Sequence, residues 1–176
     1  MRNFDATSEP EGRVKKHKKD LVFVVQKHAA SHLHYDFRLE MDGVLKSWAI
    51  PKGPSMDSGI KRLAIMVEDH PYDYKDFEGV IPEGNYGAGK VIVWDNGTYS
   101  FVDDEESTES KGLEEGELKF ILNGKKLKGE FALVKFKGKE HNEWLLIKKE
   151  DKYATDSDVL KKDKSVISNL TLEELS

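Results

Sequence analysis

The 176-residue chain has no cysteine, which excludes disulfides and thiolate metal ligands, so any metal must rest on His, Asp or Glu. It also lacks an apolar run near the ~20 residues of a membrane span. Residues 1–20 are polar and mixed in charge, without the apolar stretch of a secretory signal. A cytoplasmic protein with no membrane partner is expected. Positive charge is not in excess: 28 Lys and Arg against 33 Asp and Glu leave a net charge of −5. With a pI near 5.7, such a chain does not coat nucleic acid through bulk charge, and any phosphate contact must be local. Arg13 to Lys19, a basic run broken by Val14 and His17, is one candidate. Long helical periods and internal repeats are missing as well.

What is present is short and alternating. A composition 38% hydrophobic and 35% charged, with mean hydropathy −0.64, suits one domain. At this length it buries roughly 70% of its unfolded surface. The β-branched and aromatic run Leu21 to Lys27 predicts a strand, as do 33–40 and 44–50, which Asp42-Gly43 joins as a hairpin. Pro51 and Pro54 end the pairing in a loop that carries Lys52, and Arg62 to Glu68 alternates again. Asp73 to Glu78 reads as one helical turn and Gly79 to Gly89 as a long ordered loop. Lys90 to Trp94 and Thr98 to Val102 flank Asp95-Asn96-Gly97, predicting a second hairpin, and Glu117 to Phe136 predicts a third around Asn123-Gly124. Asp103 to Glu115 is acidic and reads as mobile. Glu143 to Lys149 is a last strand.

The expected fold is therefore mostly β: a compact antiparallel barrel of about eight strands, with short flanking helices and a polar, metal-holding crater. Three parts are expected: an N-terminal arm over 1–20 contributing to the site, the barrel over 21–150, and a tail over 151–176. The tail reads as weakly helical or disordered, with Thr171 and Glu174 resembling a capping box.

The most informative stretch is 32–40. His32, His34, Asp36, Arg38 and Glu40 occupy one parity, and Leu33, Tyr35, Phe37 and Leu39 the other, so a strand lines imidazoles, a carboxylate and a guanidinium along one face. The apolar row needs cover, so the polar row must line the opposite side. Two imidazoles and a carboxylate suit Mn, Fe or Zn while leaving coordination positions open. His34 and Asp36 can share one ion, and His28, at the end of the preceding strand, is the best placed third ligand. Gln26, Arg62, Glu68 and His70 fall on polar parities of neighbouring strands. Arg38 and Arg62 pointing inward would need an anion, and phosphate suits a guanidinium. His70 can act as general acid or phosphate donor.

The residues then match a family. Gln26-Lys27-His28, His32 through Glu40, Leu45 through Ser55, Val67-Glu68-Asp69-His70-Pro71 with Asp73-Tyr74, and Phe77 through Gly89 closely resemble the 3'-phosphoesterase module of bacterial ligase D. The resemblance runs from about Arg2 to Lys149 and looks like the free-standing version, without polymerase and ligase domains. It implies a barrel whose crater holds Mn2+ (Co or Zn being possible) on His28, His34 and Asp36. Arg38 and His70 would contact phosphate, Lys52 and Arg62 would support them, Tyr74 would be needed for activity, and Gln26 and Glu68 would assist. The implied substrates are DNA or RNA-tipped primer-template 3' ends: a phosphodiesterase step removes a terminal ribonucleoside, then a phosphomonoesterase step removes the 3'-phosphate. Implied partners are separately encoded ligase, polymerase and Ku-like proteins of end joining. Arg2 and Glu9 match the family's N-terminal arm, but Asn3 stands where an acid is usual and Ser8 where Pro is usual, which bears on the first step. Two other classes fit parts of the pattern. An Fe(II) oxygenase would use His34, Asp36 and His70, and a non-catalytic nucleic-acid barrel would want aromatics on its binding face.

Overall fold

The structure, a computed structural model, describes residues 21–85, 88–102, 108–136 and 142–175. Among the described residues there are nine strands, all paired antiparallel: β1 Leu21–Ala29, β2 Leu33–Met41, β3 Val44–Ile50, β4 Lys61–Pro71, β5 Gly79–Ile81, β6 Gly89–Phe101, β7 Glu117–Gly124, β8 Lys128–Lys135 and β9 Glu143–Lys148. Their order is β1-β2-β3-β4-β9-β8-β7-β6-β5, and β1 also pairs with β6, so eight strands close a barrel and β5 is a short addition to β6. Closure removes the unpaired edges that an open sheet of this size would carry.

Alternation along the strands fills the barrel. Phe23, Val25, Tyr35, Phe37, Leu39, Trp48, Ile50, Trp94, Phe120, Phe131 and Trp144 share one buried cluster, with aromatic pairs such as Phe37–Phe120 at 5.9 Å. Leu33, expected among them, is half exposed at the start of β2. Val24, Leu45 and Val93, on the opposite parity, form a second cluster on the outside of the barrel, covered by Tyr72 and Tyr74. Those tyrosines come from a 3-10 helix, Tyr72–Asp76, which roofs the outer face of β1 and β3. The Asp42-Gly43 hairpin forms as expected, both residues having the positive φ a two-residue turn requires (53° and 83°).

Four expectations are corrected. The hairpin at Asp95-Asn96-Gly97 does not exist: β6 runs straight through it. Gly97 serves a close approach rather than a turn, since a Cβ there would lie 2.1 Å from the Asn123 carbonyl oxygen. Asp95 is buried and accepts from the backbone N–H groups of Lys125, Lys126 and Leu127, so the residue that suggested a turn caps a different one. Within the Gly79 to Gly89 loop, three residues pair with β6 as β5. The acidic stretch carries a helix, α1 Thr108–Glu115, with Leu113 packed on the core; residues 103–107 lie outside the described ones. The tail over 151–175 is a series of turns with one 3-10 helix, Val159–Lys161, held against the barrel. Val159 enters the core, the indole N–H of Trp94 donates to the Lys162 carbonyl at 2.6 Å, and Val166 N–H donates to the Val93 carbonyl at 2.9 Å. Its apolar residues are too sparse for a helical face, so hydrogen bonds to the barrel supply what propensity does not. Thr171 and Glu174 do make the reciprocal bonds of a capping box, at 3.0 and 3.3 Å.

Candidate metal and phosphate site

The register of β1, β2 and β3 assembles the polar row. His28 pairs with His34, Gln26 with Asp36, and Arg38 with Ser47, so side chains of one parity on three neighbouring strands stand together on the outer face. One imidazole nitrogen each from His28 and His34 and one oxygen of Asp36 lie within 4.8 Å of one another. Asp36 sits 3.2 Å from Nε2 of His34 and 3.7 Å from Nδ1 of His28. Nδ1 of His34 faces the His32 carbonyl at 3.3 Å, and because a carbonyl only accepts, Nδ1 is the protonated nitrogen of the neutral ring; Nε2 faces Asp36 through a shared proton that a metal would displace. Three lone-pair donors converging at the surface of an otherwise hydrogen-bonded sheet fit a divalent ion held on N and O ligands. Among the described residues, this group contains His28 rather than His70, so the set an Fe(II) oxygenase would need is not the one that converges.

Arg38 borders this group. Its Nη2 lies 3.4 Å from Oδ2 of Asp36, Nε donates to Oε1 of Gln26 at 2.6 Å, and Nη1 donates to Oγ of Ser47 at 2.8 Å. The guanidinium is therefore clamped from three sides. Gln26, completely buried, uses its amide N–H groups to donate to the carbonyls of Tyr74 at 3.0 Å and Phe77 at 3.1 Å, which ties the roof to the floor. Tyr74 is held over the guanidinium, 5.2 Å from ring centroid to Cζ, and its ring lies 5.2 Å from that of His70 and stacks on Phe77.

The electrostatics follow from these contacts. Burial alone would raise the Asp36 carboxyl, but hydrogen bonds with His28 and His34 and the Arg38 charge reverse this and hold it well below the usual carboxylate range. The hydrogen bond to Asp36 outweighs burial at His34 and moves its imidazole up. Burial, then the Arg38 charge, moves His70 down, so that ring is neutral at pH 7. Its Nδ1 is directed at the Glu68 carbonyl, 3.1 Å away, leaving the Nε2 lone pair available. Burial raises the Tyr74 phenol, keeping it protonated as a donor.

His28, His34, Asp36, Arg38, Gln26, His70 and Tyr74 are thus brought together, and Glu68 lies beside His70 through its carbonyl. Arg62 is placed differently. Its parity is that of Ala64, which lies in the core, and Met66, which packs against it, and Nε of Arg62 is buried. His70 reaches the outer face because Leu45 pairs with His70 while Ser47 pairs with Val67, so Glu68 and Asp69 bulge opposite Lys46. The extra residue flips the parity, and a reading that put Arg62 and His70 on one face by simple alternation is corrected by that bulge. Lys52 is exposed in the turn after β3. Arg2 and Glu9 lie outside the described residues. Ser47 is a residue the sequence reading missed: a serine inside an apolar strand carries no signal until its neighbour across the ladder is known to be arginine.

The family described as the DNA ligase D 3'-phosphoesterase domain matches residues 26–135, more than half of the chain and all of the site. The chain belongs to this family. Among curated relatives of the 3'-phosphoesterase domain, a multifunctional non-homologous end joining protein LigD of Pseudomonas aeruginosa is 52% identical over 181 residues, covering 97% of this chain and 21% of the relative. The LigD DNA repair protein of Mycobacterium tuberculosis is 45% identical over 82% of this chain, and that of Mycolicibacterium smegmatis 40% identical over 86%. The chain spans about a fifth of the length of these relatives. No helix among the described residues is long and apolar enough to cross a membrane.

Proposed function

We propose that this 3'-phosphoesterase domain heals DNA 3' ends for non-homologous end joining, removing a terminal ribonucleoside and then the remaining 3'-phosphate to leave a 3'-OH. The observation that carries the reading is the contiguity of two groups: the His28–His34–Asp36 cluster, and Arg38 with Tyr74 and His70 at its border. The first fits a divalent ion, proposed as Mn2+, with Co or Zn as substitutes. The second fits a phosphoryl group. A bound ion of this kind supplies charge neutralisation on phosphate oxygens and a more acidic water. Arg38, fixed by Gln26 and Ser47, presents a guanidinium whose charge persists at any working pH and opposes charge developing at phosphorus. Tyr74, kept protonated by burial, donates to a phosphoryl oxygen. Neutral His70 offers Nε2 to take a proton, and a docked phosphate counters the Arg38 charge that disfavours the imidazolium, readying the ring to return that proton. Gln26 and Glu68 assist by position, and Lys52, Arg2 and Glu9 are proposed as further substrate contacts. The partners proposed are separately encoded ligase, polymerase and Ku-like proteins in the cytoplasm.

Incubation with Mn2+ and a 5'-labelled duplex primer ending in one ribonucleotide, resolved on a sequencing gel, tests both steps. Two successive shortened products are expected from the wild-type chain and none from His34→Ala or Asp36→Ala. A His34→Ala protein with normal turnover on a 3'-phosphate primer overturns the assignment, and binding that survives chelation without any change at the 3' end points to a non-catalytic module.

A further inference from the structure

The tail that packs on the barrel brings lysines of distant sequence together. Lys125 and Lys126, in the β7–β8 turn, and Lys162 and Lys164, in the tail, line a hollow of about 440 Å³ whose floor includes Ser165 and Asn169. One carboxylate, Asp163, shares the lining, so cations outnumber anions in a chain whose net charge is −5. The hollow is built rather than incidental. The Lys126 ammonium lies 5.2 Å from the Trp94 ring centroid, donates to the Trp94 carbonyl and donates to the Lys164 carbonyl at 2.8 Å, fixing one wall to the other. Ser165 donates to Oε1 of Glu78 at 2.6 Å, and Val166, from the same lining, packs on the Val24–Leu45–Val93 cluster that Tyr72 and Tyr74 also cover.

A second hollow of about 280 Å³ lies between the outer face of β1 and β6 and the Tyr72–Asp76 turn; Lys125, Lys75 and Asp76 line it, with the Lys75 ammonium paired to Asp76 at 2.8 Å and that of Lys125 donating to Oδ1 of Asn96 at 2.6 Å. Lys125 therefore belongs to both hollows, and the turn that walls the second is the one whose Tyr74 roofs Arg38. Lysines at this density suit the phosphodiester backbone: an ammonium on a flexible stem is a point charge that contacts any phosphate without reading sequence. A small planar anion would instead call for guanidinium forks.

We infer that the groove formed by Lys75, Lys125, Lys126, Lys162 and Lys164 binds the phosphodiester backbone of the nucleic acid whose 3' end reaches Arg38 and His70. This rests on the proposed function for what lies at the 3' end, but the groove itself is tested by binding alone. Fluorescence anisotropy of a labelled blunt duplex, without metal, gives Kd across a salt series for the wild-type chain, K162E/K164E, K162Q/K164Q and the control K61E/K119E. The main-chain carbonyls of Lys162 and Lys164 survive these changes, and melting curves check the fold. Expected is a Kd raised tenfold or more in K162E/K164E and less in K162Q/K164Q. The slope of log K against log salt should be shallower by about 2 in both, with the control unchanged. An unchanged Kd and slope in the folded K162E/K164E protein overturns the groove, as does an equal loss in K61E/K119E, which would reduce the effect to net charge. If wild-type protein binds duplex through these lysines yet never alters a 3' end, the functional reading fails and the groove stands. The reverse pattern, end processing with a lysine-independent Kd, sinks the groove alone.

Discussion

Replacing Gln26 by leucine, nearly isosteric and unable to hydrogen bond, dissects the clamp on Arg38. Three bonds disappear: the 2.6 Å acceptor of Arg38 Nε and the two amide donors to the carbonyls of Tyr74 and Phe77. Orphaning a buried charged donor costs about 2 kcal/mol, and each stranded carbonyl about 1 kcal/mol, offset in part by the added apolar contact. A net loss of about 3 kcal/mol is expected from a total stability of order 5–15 kcal/mol, a fall in Tm of about 6–12 °C for a chain this size. Urea unfolding of the metal-free protein measures it. The functional effect should be larger than melting implies, since the lost bonds also let Arg38 and Tyr74 drift relative to each other. At a temperature where Gln26→Leu is fully folded, kcat on a 3'-phosphate primer should fall by about 10²-fold. Gln26→Glu keeps an acceptor for Arg38 but turns an anionic oxygen toward the two carbonyls, so it should recover part of the stability and little of the rate. A Gln26→Leu protein within about 0.5 kcal/mol of wild type and with unchanged kcat would refute the clamp.

Metal affinity should depend on pH through His34. Its folded pKa is raised above 6.5, chiefly by Asp36, so the metal-free protein holds a proton there that must leave before Nε2 can ligate. Affinity for Mn2+ should rise with pH above 6.5 and level off once His34 is neutral. Calorimetry in two buffers of different ionisation enthalpy should report proton release that fades over the same range, and no release at the low end would contradict it. His70 works in the opposite direction on stability: its folded pKa is lowered, so below pH 6.5 the unfolded chain takes up a proton that the folded one resists. Stability should drop as pH falls below 6.5, and His70→Asn should flatten that part of the curve. At the end of β9, Lys148 is buried and bonded to Asp151 at 2.6 Å. Asp151→Ala, which leaves that buried ammonium only the main-chain carbonyls of Lys149 and Glu130, should cost more in urea unfolding than Lys148→Met, which removes the buried charge and leaves the more exposed carboxylate to water. An equal or reversed order would show that the pair does not act as an ion pair.

Strand identity and the composition of the site were legible because they are local. The alternation over 33–40 forces Asp36, Arg38 and His34 to one face of whatever sheet contains them, and Asp42-Gly43 permits little except a tight turn, so β2 and β3 and their pairing follow from spacing alone. The absence of cysteine likewise confined any metal to the imidazoles and carboxylates that the strand displays. What spacing could not supply is anything that depends on a partner across space. The bulge at Glu68 and Asp69 that turns His70 outward and leaves Arg62 with the core is a property of the β3–β4 ladder. Ser47 matters because Arg38 is opposite it, and Gly97 is small because Asn123 passes beside it. The lysine groove exists because sparse apolar side chains and main-chain bonds fix a tail with no helical period of its own, bringing residues 162–164 beside 125–126. The sequence determined which groups lie along each strand. Only closure of the barrel, which sets the register between strands and the path of the chain outside them, decided which of those groups meet.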